Sequence, residues 1–139
     1  MYTLIIEGKQ YFIENLKKVL LVTESKTIKE SESGIDFHIG TDGLVMSLPK
    51  IADLINDVEY TFTNIGTDGN NVITISPNPE DGIHGTIILG SSVVELSGII
   101  DKDLINTKAT STTGNTVSIQ SSSIGWIVKT STGIWASES

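Results

Sequence analysis

The side chains that could support metal binding or catalysis are few and lie far apart in the sequence. The two histidines, His38 and His84, have no second ligand at the spacing of a zinc site, and the chain contains no cysteine. Asp68-Gly69-Asn70 and Asp81-Gly82 resemble fragments of calcium loops, yet neither leads to the bidentate glutamate that such a loop requires. The residues fit solvent-facing strand and turn positions better, so the sequence predicts no metal and no other cofactor.

Glu80 and Asp81 are adjacent carboxylates, the kind of pair that general acid–base chemistry uses. They lie in a Pro-Asn-Pro-Glu-Asp-Gly turn, where side chains normally project into solvent and nothing tunes their acidity. The motifs GxSxG, Walker A and GxGxxG are also absent from the sequence. We therefore expect a protein that is not an enzyme.

Trp126, Trp135 and Tyr60 offer three interpretations. Aromatic faces stack on sugar rings, which would make these residues a glycan platform. Large aromatic residues also fill protein cores and anchor subunit interfaces, where they are enriched. The core or interface interpretation is favoured, and Trp126 and Trp135 are candidate interface residues.

Composition narrows the classes of partner. The formal charge is −8, and all nine basic residues are lysine. Arginine provides the fork that binds phosphate and guanine, so its absence from an acidic chain argues against nucleic acid as a partner. No apolar run approaches the ~20 residues of a membrane helix, and Met1–Glu7 lacks the features of a signal peptide, so we expect no membrane partner.

Period-two alternation of apolar and polar residues, separated by glycine-rich and proline-rich turns, predicts an all-β fold with about ten short strands. The spacing is typical of a β-sandwich or a jelly-roll-like fold. Ile35–Ile39 and Leu44–Leu48 are predicted to form a hairpin around Gly40-Thr41-Asp42-Gly43. Residues 58–77 are predicted to form a second hairpin, with a long loop that repeats the tetrapeptide as Gly66-Thr67-Asp68-Gly69. This weak repeat suggests two hairpins related by duplication, although four residues also match by chance.

At most one short helix is expected, within residues 49–57, where Ile51, Leu54 and Ile55 have helical spacing. Lys17–Thr23 has the apolar residues of a buried strand, and Glu14–Lys18 is ambiguous between helix and strand.

The chain fits one compact domain, with an N-terminal strand or arm region at 1–33 and a β-sandwich body at 34–139. Tyr2–Glu7 and Gln10–Ile13 are β-rich and flank a Gly8-Lys9 turn. We expect this segment to be an arm that adds a strand to a neighbour's sheet edge. Its candidate interface residues are Tyr2, Leu4, Ile6, Tyr11 and Phe12.

Four segments together resemble small β-rich structural proteins of bacteriophage particles. They are Thr41–Pro49 (TDGLVMSLP), Tyr60–Pro77 (YTFTNIGTDGNNVITISP), Asp81–Gly85 (DGIHG) and Gly125–Ala136 (GWIVKTSTGIWA). The resemblance covers residues 35–136.

The resemblance implies a capsid decoration or auxiliary head protein on the phage head surface, made in the host cytoplasm. It implies the major capsid protein or another virion protein as partner and favours a homotrimer. Related modules also occur in fibres and tails, so a carbohydrate-binding module that recognises a cell-surface glycan is the alternative.

Overall fold

The computed structural model describes residues 2–13, 18–89 and 91–138, which form short β-strands joined by loops and three single 3₁₀ turns. The ambiguous segment Glu14–Lys18 lies outside the described ranges except for Lys18. The strands in chain order are β1 (Tyr2–Ile6), β2 (Lys9–Ile13), β3 (Lys18–Val22), β4 (Lys26–Thr27), β5 (Ile35–Ile39), β6 (Leu44–Ser47), β7 (Glu59–Asn64), β8 (Ile73–Ser76), β9 (Gly82–Leu89), β10 (Ser92–Ile100), β11 (Leu104–Asn106), β12 (Thr116–Ser122), β13 (Gly125–Thr132) and β14 (Ala136–Ser137).

The strands form two large mixed sheets and one small one. The seven-stranded sheet has the order β10-β9-β13-β12-β7-β5-β3, and the five-stranded sheet has the order β14-β11-β8-β6-β4. Among the described strands, β1 and β2 pair only with each other. The predicted all-β class is confirmed, and the two sheets are consistent with a β-sandwich.

Strands β3 to β8 wind between the two large sheets as three successive coils, each made of one strand from each sheet. β3, β5 and β7 are parallel neighbours in the seven-stranded sheet, while β4, β6 and β8 are parallel neighbours in the five-stranded sheet. Phe37 therefore lies beside Phe62 in one sheet, and Met46 lies beside Ile75 in the other. The chain crosses from one sheet to the other within each coil.

Both hairpins predicted from the alternation are wrong. β5 and β6 lie in different sheets, as do β7 and β8, so neither pair shares a backbone ladder. The apolar faces of each pair instead turn toward each other across the sandwich. Alternation specifies which side chains point inward, but it is the same for a hairpin and for two strands that face each other across a core.

The first Gly-Thr-Asp-Gly crossing is bonded to the next coil through its last two residues. Gly43 N–H donates to the Val72 carbonyl (3.0 Å), and Val72 N–H donates to Asp42 Oδ1 (2.9 Å). The Lys108 ammonium donates to Asp42 Oδ2 (2.6 Å). This bond and the Val72 amide hold the pKa of Asp42 below its ordinary value.

The second crossing repeats this arrangement one coil later. Gly69 N–H donates to the Ser111 carbonyl (2.8 Å), and Thr113 N–H donates to Asp68 Oδ1 (2.7 Å). Gly69 has a φ of +73°, as Gly43 has +82°, a conformation that glycine adopts without the usual steric cost. The repeated tetrapeptide thus marks two equivalent crossings between sheets.

Four buried asparagines form a ladder behind these crossings. Asn71 donates to Asn64 Oδ1 (2.9 Å), and Asn64 donates in turn to Asn106 Oδ1 (2.8 Å). Asn106 donates to Asn115 Oδ1 (3.3 Å) and to the carbonyl of Ile134 (3.0 Å). Buried amides are usually hydrogen-bonded, and this ladder lets polar side chains close one end of the apolar core, where Asn71 Oδ1 has no partner.

The core between the sheets is apolar and contains a cluster of aromatic rings. Phe37 stacks on Phe62 with ring centroids 5.5 Å apart, and Tyr60 contacts both Phe37 (6.1 Å) and Trp126 (5.9 Å). The Tyr60 hydroxyl donates to the Lys29 carbonyl (2.8 Å). Burial, followed by the charges of nearby glutamates, raises the pKa of Tyr60 to about 12.

The expected helix within residues 49–57 is reduced to one 3₁₀ turn at Ile51–Asp53. Carboxylates elsewhere in the chain accept hydrogen bonds from backbone amides at each end of this segment. Ile51 N–H donates to Asp81 Oδ2 (2.9 Å), and Ile55 N–H donates to Glu30 Oε1 (2.7 Å). Ile55, predicted on the apolar face, is 89% exposed.

The N-terminal hairpin is confirmed, with Leu4 opposite Tyr11 and a turn at Glu7-Gly8. Lys17–Thr23 contains the predicted strand, β3, but this strand is an exposed sheet edge where a buried strand was expected. β3 and β4, which fall in the predicted N-terminal region, are members of the two large sheets. The division of the chain at residue 34 stays a prediction.

We predict that Asn106→Ala destabilises the fold by about 2–4 kcal/mol, because it leaves the buried Asn64 amide and the Ile134 carbonyl without partners. Urea unfolding measures this change. The matched control is Asn70→Ala, a solvent-exposed loop asparagine, which should change stability by less than about 0.5 kcal/mol. Equal effects of the two substitutions would show that the ladder does not stabilise the core.

The raised pKa of Tyr60 leads us to predict that the protein loses stability at high pH. Its pKa is about 12 in the fold against 10.0 ordinarily, so its contribution is complete below pH 10 and is lost as the pH rises toward 12. Unfolding free energies measured across this window should fall less steeply in Tyr60→Phe. The phenolate absorbance of the variant should also lack the step that titrates at the highest pH. A retained step would assign it to another tyrosine.

Candidate interaction surface

The titratable residues considered above take part in structural bonds. His38 Nε2 lies 3.3 Å from Asp36 Oδ2, and Thr63 Oγ1 donates to Asp36 Oδ1 (2.8 Å). These contacts join β5 to β7 on the outer face of the seven-stranded sheet. Among the described residues, no group of three histidine, aspartate or glutamate side chains is placed to hold a metal ion.

His84 packs against a crossing of glycines. A Cβ on Gly98 would lie 2.1 Å from the His84 ring, and a Cβ on Gly82 would lie 2.1 Å from the Gly98 carbonyl oxygen. His84 Nε2 also lies 3.1 Å from the Ile124 carbonyl oxygen. The imidazole therefore fills the space where the backbones of β9 and β10 approach closely.

The carboxylates of the two turn motifs bond to backbone amides and to a lysine. Asp68 accepts a hydrogen bond from the Thr113 N–H, and Asp81 accepts one from the Ile51 N–H. Glu80 pairs with Lys50 (2.7 Å), and this hydrogen bond raises the pKa of Lys50. Each carboxylate therefore ties a loop to its neighbour.

The three aromatic residues of the possible glycan platform are all buried in the core. Trp126, Trp135 and Tyr60 are each 0% exposed. The Trp135 indole N–H donates to the Thr132 carbonyl (3.1 Å). Trp126 and Trp135 thus present no face to a sugar or to another subunit, and their role in this chain is core packing.

The other candidate interface residues lie on the N-terminal hairpin: Tyr2, Leu4 and Ile6 on β1, and Tyr11 and Phe12 on β2. The structure describes their backbone, whereas their side chains lie outside its described part. It therefore places them together on one two-stranded unit and leaves their role as interface residues a prediction.

The exposed apolar surface lies where we did not predict it, on the outer strands of the seven-stranded sheet. Ile88 of β9 pairs with Val93 of the edge strand β10, and these side chains are 43% and 73% exposed. We call this pair the outer patch. At the opposite edge, β3 exposes Val19 and Leu21.

A groove lies on the inner side of the same two strands. β14 lies against β9, since the Trp135 backbone N–H donates to the Ile88 carbonyl (3.3 Å), and β10 continues through residues 101–103 to β11. We call the cavity of about 220 Å³ between these strands the edge groove; its lining includes Ile87, Val94, Leu96, Ile99, Leu104 and Ser137.

Apolar doublets are the sequence signal for this surface. Ile87-Ile88, Val93-Val94 and Ile99-Ile100 place an apolar residue on each face of a strand. A strand with one face in the core and one in water usually alternates. A doublet in such a strand therefore indicates that the outer face is also apolar.

Within the described ranges, no helix has the length and apolar character needed to cross a bilayer. Comparison of the chain with known protein families and with curated proteins finds no match. The chain's own residues and the surface that they form therefore provide the indications of its function.

Proposed function

We propose that this chain is a non-enzymatic structural protein of a bacteriophage particle, a capsid decoration or auxiliary head protein that binds the capsid lattice. The observation that supports it most is the outer patch beside a free sheet edge. An edge strand offers unpaired backbone groups, and proteins that function alone usually protect such edges with charge, proline or a covering element. β10 carries the exposed Val93 next to Ile88, and its one charged residue is Glu95.

The contacts made by the buried and loop aspartates are compatible with a protein that binds a partner. Asp36, Asp68 and Asp81 are engaged in contacts within the fold. The proposal needs no reacting group, because a decoration protein acts by fitting between lattice subunits. Its affinity for the particle comes from many copies, each of which contributes a modest contact.

The partner proposed is the major capsid protein or another virion protein. An apolar patch next to free backbone groups fits a protein surface, where apolar contacts and added strands supply affinity. The charge of −8 without arginine opposes binding to nucleic acid and keeps unassembled copies apart. A location on the phage head after synthesis in the host cytoplasm follows from this proposal.

The test uses purified particles of the phage that encodes this chain. We predict that antibody against the chain labels the heads and that mass spectrometry finds many copies per particle. Label confined to tails or fibres would favour the glycan-binding alternative, and absence from particles would refute a virion role.

The outer patch can be tested on the same particles. Particles lacking the chain are mixed with purified wild type or with Ile88→Lys/Val93→Lys, and bound protein is measured after sedimentation. Burying a valine contributes about 1.5–3 kcal/mol, so the variant should bind at least about tenfold more weakly. Ile55→Lys, at an exposed isoleucine in a loop remote in sequence from the patch, is the matched control and should bind normally. Normal binding of the double variant would exclude the outer patch as the contact.

A further inference from the structure

β3 is the terminal strand of the seven-stranded sheet among the described strands. It pairs with β5 through five consecutive residues, and the described part of the chain places no strand along its other side. Its sequence, KVLLV, contains no proline, and its one charged residue is Lys18 at the first position. Edge strands are usually protected by a bulge, a proline or a charge, and residues 19–22 have none of these.

Both faces of this edge expose apolar side chains. Leu20 lies beside Phe37 on the core side of the sheet, so alternation places Val19 and Leu21 on the outer face. Val19 is 53% exposed and Leu21 is 62% exposed. Leu20 is still 37% exposed, and β4, the terminal strand of the facing sheet, has only two residues with which to cover it. A strand added beside β3 would therefore bury apolar surface on both faces.

The sequence up to this edge carries no net charge. Residues 1–25 contain three lysines and three glutamates, so the whole formal charge of −8 lies in residues 26–139. The opposite edge is acidic, because residues 92–103 hold three acidic residues and one lysine. Two copies can therefore approach each other through their β3 edges with less repulsion than through their β10 edges.

Two exposed residues of opposite charge lie at the two ends of the β3 edge. Lys18 begins the strand, and Glu24 follows it in the crossing to β4, where residues 20–26 line a cavity of about 240 Å³. If two β3 strands pair antiparallel with Leu21 opposite itself, each Lys18 lies opposite the Glu24 of the other copy. The same register places Leu20 opposite Val22 and keeps the outer faces of both sheets on one side. The edge is therefore complementary to itself in both charge and apolar character.

We propose that two copies of this chain associate through their β3 strands, which pair antiparallel about a two-fold axis at Leu21 and join the two seven-stranded sheets into one. The contact is isologous, because the same edge is used by both copies, and it closes with two copies. The outer patch lies at the far end of each sheet and stays exposed to a capsid. The inference concerns the purified chain, so it can fail while the virion role holds, and the reverse is also true.

Because the chain has no cysteine, one introduced cysteine can report this contact without background. In Leu21→Cys the two thiols would face each other across the axis, with Cβ atoms about 4.5–5.5 Å apart, which is close to the spacing in a disulfide. Under a mild oxidant we expect a disulfide-linked dimer that forms at least about tenfold faster than with Ile55→Cys, at an exposed loop position. Equal rates for the two variants would overturn the proposal.

Val93→Cys provides a second comparison, because Val93 is exposed on the opposite edge of the same sheet. Leu21→Cys is mixed with an isotope-labelled Val93→Cys copy, and the linked products are separated by mass. We expect mainly the unlabelled Leu21→Cys dimer. A predominance of the mixed product would overturn the proposal in favour of a contact between unlike edges.

Sedimentation of the full-length chain tests the register by reversal of charge. Wild type should form dimers as its concentration rises, and Lys18→Glu should weaken the dimer about fivefold or more, because it places two glutamates together at each end of the pair. Adding Glu24→Lys to this variant should restore dimerisation, since each pair regains opposite charges. Thermal unfolding verifies that the variants are folded. A double variant that dimerises no better than Lys18→Glu would overturn the proposed register and with it the proposal.

Leu21→Lys tests the centre of the contact in the same measurement. The two-fold axis would bring the two introduced lysines face to face, so the dimer should weaken at least about tenfold. Ile55→Lys, which adds the same charge at an exposed loop position, should associate as wild type does. A wild-type chain that stays monomeric up to about 1 mM, or that forms the trimer favoured by the resemblance, would overturn the proposal.

Discussion

The fold depends on one constraint, which is that a chain winding between two sheets must cross the edge of an apolar core repeatedly. Each crossing places backbone amides and carbonyls next to apolar side chains, which cannot form hydrogen bonds with them. A buried polar group without a hydrogen bond destabilises the fold. This protein satisfies those groups with asparagine amides at the core's end and aspartates in the crossing loops. Asn64 illustrates the solution, because it occupies the position that Ile39 holds one coil earlier. The polar residue replaces an apolar one where the chain turns away from the sheet.

Local pattern in the sequence was enough to predict most strands and the all-β class. Alternation in Ile35–Ile39 and Glu59–Asn64 indicates which side chains face the core. The observed burial follows it in Glu59–Asn64, whereas in Ile35–Ile39 the polar Asp36 is buried as well. Pairing was not predictable in the same way. Whether β5 joins β6 or β7 depends on contacts between distant residues, and the four-residue crossing between β5 and β6 suits a hairpin as well as a link between sheets. The Gly-Thr-Asp-Gly repeat pointed to equivalent segments, while its meaning required the bonds to Val72 and Thr113.

The candidate surface was less predictable than the fold, because hydrophobicity does not separate core from interface. Residue type makes Trp126 and Trp135 candidates for a core or for an interface, and they are buried. Val19 and Val93 lie in apolar runs that suggest core strands, and they are exposed because β3 and β10 occupy the two edges of one sheet. Edge position follows from the order of all the strands, which a local pattern does not contain. The apolar doublets of β9 and β10 are the local trace of this arrangement.

Two apolar edges on one sheet would ordinarily promote uncontrolled edge-to-edge association. The distribution of charge provides a reason why a particular contact would be preferred. Two bodies of like charge repel, and this repulsion extends about 8–10 Å at physiological salt, which is farther than the contacts that would pair two edges. The side chains of residues 1–17 carry no net charge, with two lysines and two glutamates, so this segment can approach another copy's body without that penalty. Electrostatic repulsion between the acidic bodies therefore selects against random stacking of the edges and favours a defined, repeated contact, which is the property that an ordered assembly requires.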